Sequence, residues 1–121
     1  MIRIAAVIFG IAFIFAGIAG FLPQFTTDGM LFGYFEVNAM HNVIHLISGV
    51  IAIMAATSFA YSKLYFQIFG VIYGLVAIAG FVLHGDLSFI MMQVNMADNI
   101  LHAVIAIIAL YLGFSAKKQL A

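Results

Sequence analysis

The sequence contains no cysteine and very few charged residues. Of its 121 residues, 7% are charged and 67% are hydrophobic, whereas a soluble domain carries about 25% charged residues. The absence of cysteine excludes disulfide bonds and thiolate metal sites. The net charge is zero and no long basic run is present, which argues against nucleic acid as a partner. With so little polar surface, the chain is predicted to lie in a lipid bilayer.

Four long apolar runs account for most of the chain. They cover residues 4–22, 43–60, 64–83 and 100–116. A helix rises about 1.5 Å per residue and must cross about 30 Å of hydrocarbon, so runs of this length suffice for spanning. The second and fourth runs reach full length only if their helices begin several residues earlier. We predict an all-α fold, a four-transmembrane-helix bundle that forms a single integral membrane domain over residues 1–121.

The charged residues separate by sign along the chain. The positive residues are Arg3, Lys63, Lys117 and Lys118, and the negative residues are Asp28, Glu36, Asp86 and Asp98. Because Lys and Arg accumulate on the cytoplasmic side of membranes, both termini and the link at residues 61–63 are predicted to be cytoplasmic. The apolar loops at residues 23–40 and 84–97 then lie on the outer side, where we expect them to fold over the end of the bundle.

The third apolar run repeats the first. Ile8-Phe9-Gly10 matches Ile68-Phe69-Gly70, and Ile18-Ala19-Gly20-Phe21 matches Ile78-Ala79-Gly80-Phe81. Two tandem helix–loop–helix repeats, at about residues 4–60 and 64–117, are therefore predicted. Since each repeat holds two spans, both copies have the same orientation, and a pseudo-two-fold axis along the membrane normal relates them.

A short polar motif, V-N-x-x-(H/D)-N-x-x-H, opens the second and the fourth run. Its copies are residues 37–45 and residues 94–102. Residues four apart lie on one face of a helix, so His41 projects beside His45, and Asp98 beside His102. Ionisable groups in a membrane usually face the bundle interior. We therefore predict that these four side chains converge near the outer surface.

One interpretation of the four side chains is a divalent metal site. Imidazole and carboxylate ligands suit zinc, which we favour, and also copper, nickel or iron. The ligands in this hypothesis are His41, His45, Asp98 and His102. Neighbouring polar residues would orient the ligands through hydrogen bonds. They are Asn38, Asn42, Asn95, Asn99 and Glu36.

Two other interpretations remain open. A b-type haem is the first, with His45 and His102 as axial ligands from facing helices. The second is a structural or partner-binding membrane protein in which a hydrogen-bonded network of His, Asn and Asp fixes helix packing.

Several residues and roles are weaker hypotheses. His84 and Asp86 follow the third run and are candidate extra ligands, although we favour a solvated loop as their explanation. No HExxH motif and no nucleophile-plus-base pattern is present, so the sequence does not predict a hydrolytic enzyme. Ion or proton transport would require several copies to assemble, because four helices enclose only a thin pore. The candidate partners of the chain are therefore further copies of itself, in a homo-oligomer, or another membrane protein.

The motif residues also resemble a known family. The segment from Phe32 to His45, F-G-Y-F-E-V-N-A-M-H-N-V-I-H, followed by Gly49, is similar to the core of the bacterial domain-of-unknown-function family 4383. Phe21-Leu22-Pro23 and the segment A-D-N-I-L-H at residues 97–102 also match. The resemblance covers almost the whole chain. It implies a small four-span protein of the bacterial inner membrane, and it implies no activity.

Overall fold

The computed structural model describes residues 1–118, and most of them are helical. Four α-helices run along the chain: α1 is Ile2–Ala19, α2 is Ala39–Ala55, α3 is Phe59–Val82 and α4 is Met96–Ser115. As predicted, α2 and α4 begin inside the two copies of the polar motif. The predicted helical class is therefore confirmed for the bulk of the chain.

An asparagine fixes the start of both helices. The side chain of Asn38 accepts a hydrogen bond from the backbone N–H of His41 at 2.8 Å, and Asn95 accepts one from the N–H of Asp98 at 3.0 Å. Asp98 completes a capping box, because its carboxylate accepts the N–H of Asn95 at 3.0 Å. Such caps satisfy backbone donors that a helix start otherwise leaves free.

The link between α2 and α3 lies earlier than the predicted residues 61–63. Helix α2 ends at Ala55 and α3 begins at Phe59. The reason is that Ser58 caps α3: its hydroxyl accepts the backbone N–H of Tyr61 at 3.0 Å. Lys63 therefore lies on the first turns of α3, and its ammonium group donates to the carbonyl of Ala116 at 2.5 Å.

Three of the helices, α1, α3 and α4, are long and apolar enough to cross a membrane. Helix α2 has 17 residues, which gives a length of about 26 Å against a hydrocarbon core of about 30 Å. The outward faces carry exposed apolar side chains, such as Ile8, Phe15 and Ile107. This surface fits contact with lipid.

The helices pack most extensively in consecutive pairs, α1 along α2 and α3 along α4. Glycines bring the backbones together in both pairs. A Cβ atom added at Gly49 would lie 2.8 Å from the carbonyl oxygen of Gly10, and one at Gly113 would lie 2.7 Å from the backbone nitrogen of Gln67. Small residues allow this close approach, which drives helix association in lipid.

The two outer loops contain short β-strands, so the all-α prediction is corrected to a mostly helical fold. The strands are β1 (Thr26–Thr27), β2 (Met30–Leu31), β3 (Phe35–Glu36), β4 (Asp86–Leu87) and β5 (Met92–Gln93). The first three form one antiparallel sheet and the last two another. Asp28 and Gly29 both have positive φ, 53° and 76°, which is the two-residue turn that matches the twist of a hairpin.

The outer loops pack onto the helix ends, as the sequence predicts. Leu87 and Met92 are buried, and their cluster includes Met40 and Ile44 of α2. The loop at residues 84–97 is also hydrogen-bonded to the start of α2, and the loop at residues 23–40 to the start of α4. The amide of Asn38 donates to the carbonyl of Met91 at 3.1 Å. These contacts hold a cover over the starts of α2 and α4.

Candidate metal centre

The structure brings three of the four predicted ligands together. The ring centroids of His41 and His45 are 4.4 Å apart, those of His41 and His102 are 5.5 Å apart, and those of His45 and His102 are 6.2 Å apart. One nitrogen from each ring lies within 4.8 Å of the other two. Helix α2 supplies two of these rings from adjacent turns, and α4 supplies the third.

All three imidazoles are buried. The exposed fractions are 1% for His41, 7% for His45 and 1% for His102. Beside the cluster, the ring of Phe13 lies 5.6 Å from that of His45, and the ring of Tyr73 lies 5.5 Å from that of His102. The cluster is therefore shielded by aromatic side chains.

The hydrogen bonds show which nitrogen of His41 is free to bind an ion. Its Nδ1–H donates to the backbone carbonyl of Glu36 at 3.0 Å. Because a carbonyl only accepts, Nε2 of the neutral ring carries the lone pair. Nε2 of His41 is buried and has no hydrogen-bond partner within residues 1–118, as is also true of Nδ1 of His45 and of His102. Three bare ring nitrogens thus occur in one buried cluster.

Asp98 is buried but does not belong to the cluster of three ligand nitrogens. One of its oxygens, Oδ2, accepts the backbone N–H of Asn95 in the capping box. Asp98 lies one turn before His102 on the same helix face. Direct ligation by Asp98 stays a prediction, and its observed contact is with the helix start.

The four asparagines contact backbone and glycine rather than imidazole rings. Asn38 and Asn95 cap α2 and α4, and the amide of Asn95 donates to the carbonyl of Tyr34 at 2.8 Å. A Cβ atom added at Gly20 would overlap the side chain of Asn42, and one at Gly80 would overlap that of Asn99. In the described part of the chain, hydrogen-bond support for a ring comes from the carbonyl of Glu36.

His84 and Asp86 lie on the surface of the second outer loop, outside the cluster. Hydrogen bonds from Ser88, and one from Gln93, hold the pKa of Asp86 below its usual value. The carboxylate accepts the N–H of Ser88 at 3.1 Å and the amide of Gln93 at 3.2 Å. Its contacts thus close the β4–β5 hairpin.

Sequence reasoning missed a polar chain beneath the cluster. The hydroxyls of Ser48 and Tyr73 are 2.9 Å apart, and the hydroxyl of Tyr65 donates to the carbonyl of Ser48 at 3.0 Å. All three residues are buried. The sequence did contain a sign of these contacts, because the spacing of Ser48 places it on the face of α2 that carries His41 and His45.

The cluster fits a metal ion better than a haem. At a zinc–nitrogen distance of 2.0–2.1 Å, two nitrogens on one tetrahedral ion lie about 3.4 Å apart. The observed separations lie within 4.8 Å, so the three rings would move closer together to hold one ion. A porphyrin between His45 and His102 would have to displace His41, whose ring packs against both.

Comparison with known families gives a match that covers nearly the whole chain. The model of the family described as "Domain of unknown function (DUF4383)" matches residues 3–115. No curated protein and no solved structure matches the chain significantly.

Proposed function

This chain belongs to the DUF4383 family, whose description records no activity, and we propose from the geometry of the site that it binds one divalent metal ion within a membrane. His41, His45 and His102 hold the ion. Zinc is the first choice, because neutral imidazoles suit it and the site has no thiolate. Copper, nickel and iron also accept imidazole ligands.

The observation that carries this proposal is the set of three bare ring nitrogens. Buried polar atoms are nearly always paired, and each unpaired one costs free energy. A network that existed only to fix helix packing would pair these nitrogens with side chains or backbone. Instead each belongs to one of three clustered imidazoles, in which one nitrogen of every ring lies within 4.8 Å of the other two. One cation satisfies all three at once.

Two nearby groups would strengthen the binding of a cation. The carbonyl of Glu36 accepts the Nδ1–H of His41, which fixes the ring and raises the basicity of its free nitrogen. The buried carboxylate of Asp98 lies one turn from His102. A negative charge at this position offsets the cost of placing a divalent ion in a poorly hydrated site.

We further infer that all four helices span the bilayer, with both termini and the α2–α3 link cytoplasmic. At that end of the molecule Arg3 donates to the carbonyl of Ala56 at 2.7 Å, and Lys63 donates to that of Ala116. The positive-inside rule supports this orientation. In a bacterium the metal site would then lie near the periplasmic face of the inner membrane.

Matched contacts support the proposed tandem repeat. The bond from Arg3 to Ala56 has its counterpart in that from Lys63 to Ala116. In the same way, the bond from Asn38 to Met91 has its counterpart in that from Asn95 to Tyr34. Each pair joins equivalent positions of the two sequence repeats. A pseudo-two-fold axis would therefore pass close to the histidine cluster.

Elemental analysis of protein purified in a mild detergent tests the metal proposal. We expect about one ion per chain in the wild type and almost none in the double variant H45A/H102A. His84→Ala is the matched control, because His84 is exposed and outside the cluster; it should keep its metal. Equal metal content in the wild type and the double variant would rule the site out.

The same sample separates the two alternatives. A haem protein would show a strong visible absorption band after expression with haem supplied. A purely structural network predicts no metal in any variant, together with lower thermal stability in both H45A and H102A. The metal proposal instead predicts that added zinc raises the unfolding temperature of the wild type but not of H45A/H102A.

A further inference from the structure

An apolar groove leads from the surface of the bundle to the histidine cluster. It lies between α1 and α4 and has a volume of about 350 Å³. Its walls are aliphatic or aromatic, and among residues 1–118 His45 is the single polar residue that lines it. The residues that line it include Ile8, Phe9, Ala12, Phe13, His45 and Val104. Small-molecule sites commonly combine apolar walls with a few polar groups in this way.

The rim of the groove faces the lipid. Ile8 and Val104 are exposed large apolar residues on opposite sides of it, and Ala12 between them is also exposed. Helices α1 and α4, which form the two walls of the groove, are both apolar enough to span a membrane. A ligand for this groove would therefore enter sideways from the bilayer, and it must be soluble in lipid.

The inner end of the groove offers one hydrogen-bond donor. His45 is 93% buried, since 7% of its surface is exposed, and it lines the groove from α2. A neutral imidazole that binds an ion through one nitrogen keeps an N–H on the other. The ligand should therefore present an oxygen that accepts a hydrogen bond. The rings of Phe9 and Phe13, 6.2 Å apart, would pack against a flat ring on that ligand.

We propose that this groove binds the ring of a lipid-soluble quinone, with a ring carbonyl oxygen accepting a hydrogen bond from His45. The isoprenoid or alkyl tail lies along the rim between α1 and α4. An acyl chain of a phospholipid matches the apolar walls but offers no oxygen at that depth. The quinone proposal deepens the proposed function, because His45 belongs to both sites.

Calorimetric titration of the purified protein with decylubiquinone tests the proposal. We expect saturable binding of one molecule per chain. Ala12→Phe fills the groove and should weaken the binding at least tenfold. Ile11→Phe is the matched control: Ile11 is an exposed neighbour on α1 that does not line the groove, and its affinity should stay within twofold. Decylbenzene, which has the ring and tail but no carbonyl, should bind at least tenfold more weakly than the quinone.

Two results would overturn the proposal. The first is a heat of titration that never saturates and is equal for wild type, A12F and I11F. It would mean that decylubiquinone only partitions into the detergent. Equal affinity for decylbenzene and decylubiquinone means an apolar chain site without the hydrogen bond. Metal content measured on the same samples separates this proposal from the previous one. If wild-type protein without metal binds the quinone, the quinone proposal stands and the metal proposal is overturned. If the protein contains metal but shows no saturable quinone binding, the metal proposal stands and the quinone proposal is overturned.

Discussion

At the level of single residues, the candidate site depends on which polar atoms the backbone has already paired. His41 has its Nδ1–H paired with the carbonyl of Glu36, so its Nε2 is left for an ion. The spacing of four residues was enough to place His41 and His45 on one face. The sequence did not reveal that Glu36 would act through its carbonyl, because that contact depends on the strand β3.

At Asp98, too, the sequence did not reveal a contact with the backbone. Its place in the motif, equivalent to His41, suggested a ligand, but the structure shows its Oδ2 accepting the N–H of Asn95. We predict that Asp98→Asn keeps close to one ion per chain but binds it less tightly, since an amide oxygen still accepts the N–H of Asn95 while the negative charge is lost. Elemental analysis and a chelator titration measure the content and the affinity. Loss of the ion in this variant, with the fold intact, would make Asp98 a ligand as the sequence suggested.

The buried hydroxyl pair beneath the cluster permits a test of stability. Tyr73→Phe removes the bond to Ser48 and should lower the free energy of unfolding by about 0.6 kcal/mol, the average for such bonds in membranes. The ring remains, so metal content should not change. Tyr61→Phe is the control, because Tyr61 is exposed. Unfolding curves in a denaturing detergent measure both; equal losses for the two variants would contradict this assignment.

At the level of helices and loops, single residues at helix ends and at close contacts determine the arrangement. The sequence allowed prediction of four helices and of the early starts of α2 and α4. It did not give the α2–α3 boundary, because the apolar run continues past Ala55 while the Ser58 cap sets the start of α3. The loop strands were also missed, although the Asp28-Gly29 turn was a readable signal.

The glycines of α3 are not equivalent, although Gly70 and Gly74 form one GxxxG pattern. A Cβ atom at Gly70 would lie 2.8 Å from the side chain of Leu110 and 3.0 Å from its backbone nitrogen, whereas one at Gly74 meets only the Cβ of Ala106 at 3.7 Å. Gly70→Ala should therefore lower the free energy of unfolding by about 1–3 kcal/mol. Gly74→Ala should leave it unchanged or raise it by up to about 1 kcal/mol. Similar losses in both variants would contradict the packing of α3 on α4.

The hydrogen bonds from the capping asparagines to the outer loops should control loop opening. Asn95→Ser keeps a cap for α4 but removes the amide that donates to the carbonyl of Tyr34. A loss of about 1 kcal/mol corresponds to roughly fivefold faster opening of that loop. Hydrogen exchange followed by mass spectrometry should show the increase at residues 26–36. An equal increase at residues 86–93, which Asn38 holds, would show general loosening instead.

At the level of the whole molecule, two helix pairs meet with their polar ends together and their basic ends together. The positions of the charged residues and of the two polar motifs along the chain predicted that the motifs would lie at one end of the bundle and the basic residues at the other. They did not reveal the groove between α1 and α4, because a gap between helices depends on side-chain volumes along two separate contacts. Phe9 and Phe13 alone gave no sign that His45 would lie at its inner end.

The proposed orientation can be measured directly, because the chain has no cysteine. Ser88→Cys places a thiol in the second outer loop, and Thr57→Cys places one in the α2–α3 link; both positions are exposed. In intact bacterial cells, a membrane-impermeant maleimide should label the first variant alone. After lysis it should label both. Labelling of Thr57→Cys in intact cells, with Ser88→Cys protected, would reverse the orientation.

X-ray absorption at the zinc edge of the zinc-loaded protein tests the central claim most directly. With three histidines as ligands, the spectrum should show nitrogen neighbours at about 2.0–2.1 Å, together with the outer scattering of about three imidazole rings. The spectrum of H84A should be identical, whereas H45A/H102A should retain too little zinc to give a comparable spectrum. A shell of oxygen atoms alone in the wild type, without imidazole scattering, would contradict a metal centre at these histidines.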